Sequence, residues 1–120
     1  MIDVEQLRNY CLSLGGDVEE KFPFTKFRGG ETVLVFYVCG HMFCYFDIEA
    51  MDTATVKCHP GHIAELMARH ECITAPYNAN PAYWVGIRLA DCDDGLLCGL
   101  IKDSYDIVKT KYARKPRGKS

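Results

Sequence analysis

The sequence lacks several features that would assign a function directly. No apolar run approaches the ~20 residues that span a bilayer, and the N-terminus has no basic start followed by an apolar stretch, so neither a membrane anchor nor a signal peptide is expected. No CxxC pair occurs among the seven cysteines. Gly29-Gly30-Glu31-Thr32 has neither the lysine nor the spacing of a phosphate-binding loop. We therefore expect a cytoplasmic protein with reduced thiols.

Composition and charge indicate one globular domain with a basic end. Apolar residues make up 48% and charged residues 25% of the 120 residues, and there are no repeats and no interdomain linker. From Lys109 to Ser120 there are six basic residues and no acid, whereas the remaining 108 residues hold eight basic and sixteen acidic residues, a net charge of −8. We predict a single domain over residues 1–112 and a disordered basic tail over 113–120.

The chain is organised around a predicted β-hairpin over Thr32–Ile48. Two runs of apolar and β-branched residues flank Cys39-Gly40, which has the length of a tight hairpin loop. Strict alternation along the second arm predicts one face with Met42, Cys44, Phe46 and Ile48 and an opposite face with Phe43, Tyr45 and Asp47.

The flanking segments complete an α+β pattern. Helices are predicted over Ile2–Leu14, from Pro60 to about Arg69, and after the acidic cluster that ends at Asp94. The middle helix should turn Ile63, Leu66 and Met67 inward. Strands are predicted near Phe24–Arg28 at a sheet edge, at Ala54–Cys58 and at Ala82–Leu89, with an irregular segment over Glu71–Pro81.

Three motifs resemble the MmcQ/YjbR family: KCHP at Lys57–Pro60, APYNANPAYW at Ala75–Trp84 and DSYDIV at Asp103–Val108. The hairpin turn and LSLGG…EEKFPF near the start are similar to the family as well, so the resemblance covers roughly residues 4–111. It implies a two-layer α+β fold, an antiparallel sheet packed by helices on one side, as in CyaY-like and secretion-chaperone-like domains. It also implies DNA binding. His41 replaces the lysine that often follows the hairpin turn, which removes a candidate phosphate contact, and His59 replaces a common acidic helix cap.

The first functional hypothesis is therefore DNA binding. Clustered cations contact phosphates and give sequence-independent, salt-dependent affinity. The candidate phosphate contacts are Lys109, Lys111, Arg114, Lys115, Arg117 and Lys119, with Lys57 and Arg88 as secondary candidates.

The second hypothesis is a protein-interaction or chaperone-like module, or a small-ligand domain, with a groove between the irregular segment, the Trp84 strand and the last helix. The alternative is structural: the asparagines close a loop, the rings pack with their polar atoms bonded, and the serine permits close approach. The candidate groove residues are Lys57, Tyr77, Asn78, Asn80, Trp84, Ser104 and Tyr105.

Catalysis, metals and cofactors are not expected. Cys58-His59-Pro60-Gly61-His62 is the best metal-like cluster, but it lacks the second ligand pair of a structural zinc site. Cys58 precedes a helix, but a nucleophilic cysteine also needs a lowered pKa and a positioned base. A more distant option is an enzyme or ligand-binding protein that uses Lys57, Tyr77 and Tyr105. A monomer is expected.

Overall fold

Three helices and six strands make up residues 2–113, the part of the chain that the computed structural model describes. All paired strands are antiparallel, in the sheet order β1-β2-β3-β4-β6-β5. No helix within this part is long and apolar enough to cross a membrane. The elements are α1 (Val4–Ser13), β1 (Glu19–Lys21), β2 (Val33–Val38), β3 (His41–Asp47), β4 (Thr53–Lys57), α2 (Pro60–Arg69), β5 (Ile73–Thr74), β6 (Trp84–Arg88) and α3 (Asp94–Tyr112).

The core lies between one face of the sheet and the helices α1 and α3. Helix α1 begins with a capping box in which Asp3 accepts from the Gln6 amide, and α3 begins at Asp93, which accepts from the Leu96 amide. The predicted α+β fold, with helices on one side of an antiparallel sheet, is confirmed. The largest fully buried side chains are Phe36, Phe43, Phe46, Leu7, Ile87, Leu89, Leu97 and Ile101.

The central hairpin forms as predicted, but its second arm does not alternate strictly. Cys39 and Gly40 both have positive φ, 54° and 77°, as a type I′ turn requires. The register then shifts at a β-bulge: Phe36 pairs with Cys44 and Tyr37 with Met42, which leaves Phe43 as the extra residue. Phe43 therefore packs against the helices and Met42 points away from them. The predicted faces were wrong for these two residues, because strict alternation holds only without a bulge.

The first edge strand was predicted in the wrong place. It lies at Glu19–Lys21, whereas the segment expected to be a strand, Phe24–Arg28, forms consecutive turns in which the Phe27 amide donates to the Phe24 carbonyl and the Gly30 amide donates to the Phe27 carbonyl. These local bonds use backbone groups that a strand would offer to its neighbour.

The structure differs from the sequence-based prediction at two further places, both near α2. The irregular segment after it contains the short edge strand β5, whose two residues are too few for a sequence signal. Ile63 and Leu66 of α2 are half-buried, but Met67 is 41% exposed, so the prediction that Met67 points inward was wrong. Helix α2 has no fully buried residue and contacts the core only along a narrow stripe.

Candidate functional site

The face of the sheet that carries no helix holds an open groove of about 890 Å³. We call it the sheet-face groove. Its floor is formed by Met42, Tyr45, Thr55 and Trp84 of β3, β4 and β6, and its two walls are the segments 24–30 and 77–79. The floor residues follow from strand alternation and from the bulge, which together place these side chains on the face away from the core.

The first wall is held by aromatic packing and by one close backbone approach. The rings of Phe24 and Phe27 meet edge to face with centroids 6.3 Å apart. Gly30 is buried, and a Cβ there would lie 2.7 Å from the Phe24 carbonyl oxygen, so only glycine lets the chain pass so close. Phe27 remains 64% exposed at the top of this wall.

The second wall is tied to the floor by one hydrogen bond. The Tyr45 hydroxyl donates to the Tyr77 carbonyl at 2.8 Å, and Asn78 adopts φ 58°, a left-handed conformation that asparagine tolerates. Burial raises the pKa of Tyr45, although a hydrogen bond with Thr55 works in the opposite direction, so the phenol keeps its donor proton at neutral pH. The Tyr77 side chain is itself 77% exposed.

Aromatic side chains dominate the groove. The Tyr45 and Trp84 rings lie 6.2 Å apart, centroid to centroid, and the Lys57 ammonium lies 5.7 Å from the centre of the Trp84 ring. That contact is a cation–π arrangement. Six aromatic residues line the groove in all, of which Phe46 is buried: Phe24, Phe27, Tyr45, Phe46, Tyr77 and Trp84.

The two ends of the groove differ in charge. Lys57 pairs with Trp84 across the strands at one end, whereas Asp47 and Asp52 line the other. Burial alone would raise the pKa of Asp47, but hydrogen bonds from the Thr32 hydroxyl and two loop amides together hold it below its ordinary value. Asp47 is therefore a fixed negative charge at neutral pH.

The residues predicted to share one groove are divided by the sheet. Tyr77, Asn78 and Trp84 line the sheet-face groove. Lys57 lies against the Trp84 ring at the margin of this groove, but it lines the depression between α2 and α3. Asn80 does not line it: its side chain accepts from the Ala82 amide and closes the loop before β6.

Ser104 and Tyr105 lie on the other side of the sheet, both buried. The Ser104 hydroxyl accepts from the Lys57 amide at 2.8 Å and donates to the Phe43 carbonyl, and so links α3 to β3 and β4. The Tyr105 hydroxyl donates to Asp17 at 2.8 Å. The structure therefore does not bring these two residues to the groove.

Within the described residues, the predicted phosphate contacts do not all meet in one patch. Lys57 and Lys111 both line the depression between α2 and α3, but Lys109 and Arg88 do not line it. Lys109 binds Asp17 at 3.0 Å and the Tyr105 hydroxyl at 3.1 Å, and these hydrogen bonds, that of Tyr105 foremost, raise the pKa of Lys109. Arg88 forms a two-point contact with Asp91. Lys111 lies near the end of α3, on the helix side. The other predicted contacts, Arg114, Lys115, Arg117 and Lys119, lie outside the described residues, as does the tail predicted over residues 113–120 except for Ala113.

A second depression, which we call the α2–α3 cleft, contains the cysteine–histidine cluster. It measures about 790 Å³ and is lined by Cys58, His59 and His62, among others. Burial, followed by the charge of Asp103, raises the pKa of Cys58, which disfavours the thiolate that a nucleophile needs. Within residues 2–113 no group of three or more His, Cys, Asp or Glu side chains could hold a metal ion.

Part of the groove does not follow from the sequence. Strict alternation puts Met42 on the wrong face, the segment with Phe24 and Phe27 has the pattern of a strand, and no motif includes Tyr45 or Thr55. One signal was available: Tyr45 and Thr55 fall on the outward positions of their strands, where an aromatic and a hydroxyl residue together indicate a partly exposed surface.

Comparisons with known proteins agree with this architecture. The chain aligns over 96% of its length with 84% of Deinococcus radiodurans protein DR2400, whose crystal structure is described with the domain DUF419, at 30% identity and a TM-score of 0.84. A Pseudomonas syringae protein shares the fold over 89% of this chain and 99% of its own, at 19% identity and a TM-score of 0.74. No curated protein matches. Residues 12–107 match the YjbR family, and the chain therefore belongs to that family.

Proposed function

We propose that this protein acts by binding rather than by catalysis, and that the sheet-face groove receives an extended segment of a partner protein. The observation that carries the proposal is that six aromatic side chains line one open groove, with Phe27 and Tyr77 exposed on its opposite walls. The few residues that dominate the binding energy of protein interfaces are enriched in Trp and Tyr, together with Arg. Each aromatic ring buries a large area when it is covered by a partner.

The net charge of residues 2–113 favours a protein partner over a nucleic acid. Residues 2–113 hold ten basic and sixteen acidic side chains, a net charge of −6. Phosphate contacts supply most of the affinity for nucleic acids, so a binding face needs unpaired cations. Arg88, on the groove side of the sheet, already pairs with Asp91 at a side-chain exposure of 44%. Lys57 and Arg28 are the other cations at the groove, but Asp47 and Asp52 line it as well. A polyanion would therefore gain little at this face.

Matched alanine variants test the proposal by affinity capture from an extract of the source cells. Tyr77→Ala and Phe27→Ala each remove an exposed ring from one wall, and the backbone carbonyl that holds the Tyr77 wall is retained. Tyr83→Ala is the control, because Tyr83 is 47% exposed but lines the α2–α3 cleft. We expect a partner that the wild type and the control recover and that both groove variants lose.

Equal recovery of that partner by all four proteins would exclude the groove as its binding surface. Circular dichroism and denaturant unfolding of each variant check that the fold is retained. Protection of Tyr77 but not Tyr83 from hydroxyl-radical oxidation in the complex would place the partner on the groove directly.

DNA binding, the property implied by the family resemblance, remains a second proposal. The feature that favours it is the run of cations from Lys109 onward, which continues beyond α3. A salt titration against a generic duplex compares the full chain with a chain ending at Ala113. Tail-dependent affinity that falls steeply with salt would support the proposal, and no binding at low salt would exclude it.

A further inference from the structure

The charges along the sheet-face groove specify what kind of segment fits it. We infer that the bound segment is cationic and carries an aromatic or large apolar side chain followed, four residues later, by an arginine or lysine. This inference rests on the proposed function, because it assumes that the groove is the binding surface.

The spacing follows from strand geometry. Trp84 begins β6 and Arg88 ends it, and these residues pair with Lys57 and Thr53, the two ends of β4. Four residues of a strand cover about 13 Å. In an extended segment, side chains at i and i+4 lie on the same face at the same separation. Two side chains of such a segment can therefore meet the two ends of the groove together.

The end of the groove near Trp84 accepts the aromatic or large apolar side chain of the bound segment. Trp84, Tyr45 and Tyr77 surround it, and stacked or edge-to-face rings add to the energy of apolar burial. The Lys57 ammonium already lies over Trp84, so a second cation at this end would be repelled. The basic residue of the segment is therefore directed to the opposite end.

That opposite end is acidic. Asp47 and Asp52 line it, and the Glu31 carboxylate accepts from the amide of Gly29, which also lines the groove. Arg28 is the cation among the residues that line the groove, so the two lining carboxylates leave a net charge of −1. Arg88, at the same end of the sheet, is already paired with Asp91. An arginine or lysine of the bound segment balances this charge.

Synthetic peptides test the inference directly. The first probe is an eight-residue peptide without tryptophan in which a tyrosine is followed four positions later by an arginine; in the second, glutamate replaces the arginine. Trp84 is the single tryptophan of the chain and lies on the groove floor, so its fluorescence reports binding. We expect the glutamate peptide to bind about fivefold more weakly.

Reversing one charge on the protein, and measuring the same two peptides, provides the matched experiment. Asp52 is exposed and contributes only its backbone carbonyl to the fold, as the acceptor of the Leu89 amide, so Asp52→Lys leaves the structure intact. This variant should reverse the order and bind the glutamate peptide more tightly than the arginine peptide. A reversed preference would identify a direct interaction between residue 52 of the protein and the charged residue of the peptide.

Each other outcome overturns the inference in a distinguishable way. Equal binding of both peptides by both proteins removes the charge requirement but leaves the groove as a peptide site. No binding of either peptide rejects the stated chemistry, and the capture experiment with Tyr77→Ala then decides the proposed function separately. Tighter binding of a single-stranded oligothymidine than of the arginine peptide, with a change in Trp84 fluorescence, would assign the groove to nucleic acid instead.

Discussion

The two faces of the sheet use the same kinds of residues in opposite ways. On the helix-covered face, aromatic rings are closed in the core and polar groups are bonded within the protein, as with Phe43 and Ser104. On the open face, Tyr77 and Phe27 stand exposed. Residue type alone therefore does not separate packing from binding. The position of a side chain relative to the sheet adds the missing information, because the two most exposed rings, Tyr77 and Phe27, stand on the open face.

The largest loss of stability should come from a substitution on the helix-covered face of the sheet. Phe36 is fully buried, and its ring centroid lies 5.8 Å from Phe46 and 6.4 Å from Phe43. Phe36→Ala leaves a cavity among these rings and should lower the free energy of unfolding by about 3–5 kcal/mol. Urea denaturation measures the change. A loss below about 1 kcal/mol would mean that this core is not close-packed.

Ser104 should show the next largest effect, although it is small and polar. Ser104→Ala removes the hydroxyl that joins the Lys57 amide and the Phe43 carbonyl, and it leaves both backbone groups without that partner. The expected cost is about 1–3 kcal/mol. Ser13→Ala is the control, since the Ser13 hydroxyl bonds only to the exposed carbonyl of Tyr10 in its own helix. Equal stabilities of the two variants would show that the link contributes nothing.

These residues show what sequence reasoning could and could not supply. The Cys39-Gly40 turn is local, so the length of the loop and its glycine were enough to predict it. The β-bulge at Phe43 depends on how β2 and β3 pair, and no residue type within β3 predicts it. One unpredicted residue changed which side chains face the groove.

The candidate site was harder to predict than the fold, for the same reason. The motif residues were identified as a group, but motifs close in sequence carry no information on which side of a sheet each lies. Ser104 and Tyr105 belong to α3 and Trp84 to β6, and the sheet separates them. The Phe24–Gly30 wall was missed because its shape comes from turn bonds and from the approach of Gly30 to Phe24, neither of which follows from apolar periodicity.

A smaller, pH-dependent effect is expected where α3 meets the loop after α1. Hydrogen bonds from Lys109 first and Tyr105 second lower the pKa of Asp17 in the folded protein. A lowered folded pKa stabilises the protein above the unfolded value of about 3.9, and this contribution disappears as the pH falls through the folded pKa. The stability difference between wild type and Asp17→Asn should therefore be constant near neutral pH and shrink below about pH 4.

Solvent limits the size of this effect, because the Lys109 and Asp17 side chains are 45% and 40% exposed. Tyr105→Phe provides the comparison: it removes one hydrogen bond to Asp17 but keeps the ion pair, so its pH-dependent difference should be smaller than that of Asp17→Asn. Unfolding measured from pH 3 to pH 7 distinguishes the two. A difference for Asp17→Asn that does not change with pH would show that Asp17 titrates alike in the folded and unfolded chain.

The smallest effect on stability should come from the open face, from the residue with the largest expected effect on binding. Tyr77→Ala removes a ring that is 77% exposed and leaves the carbonyl that accepts from Tyr45, so the free energy of unfolding should change by no more than about 0.5 kcal/mol. Thermal and urea unfolding of Tyr77→Ala and Tyr83→Ala should agree within that margin. A loss above about 1 kcal/mol for Tyr77→Ala alone would show that the ring stabilises the fold, and the contrast between the two faces would then fail at its most exposed residue.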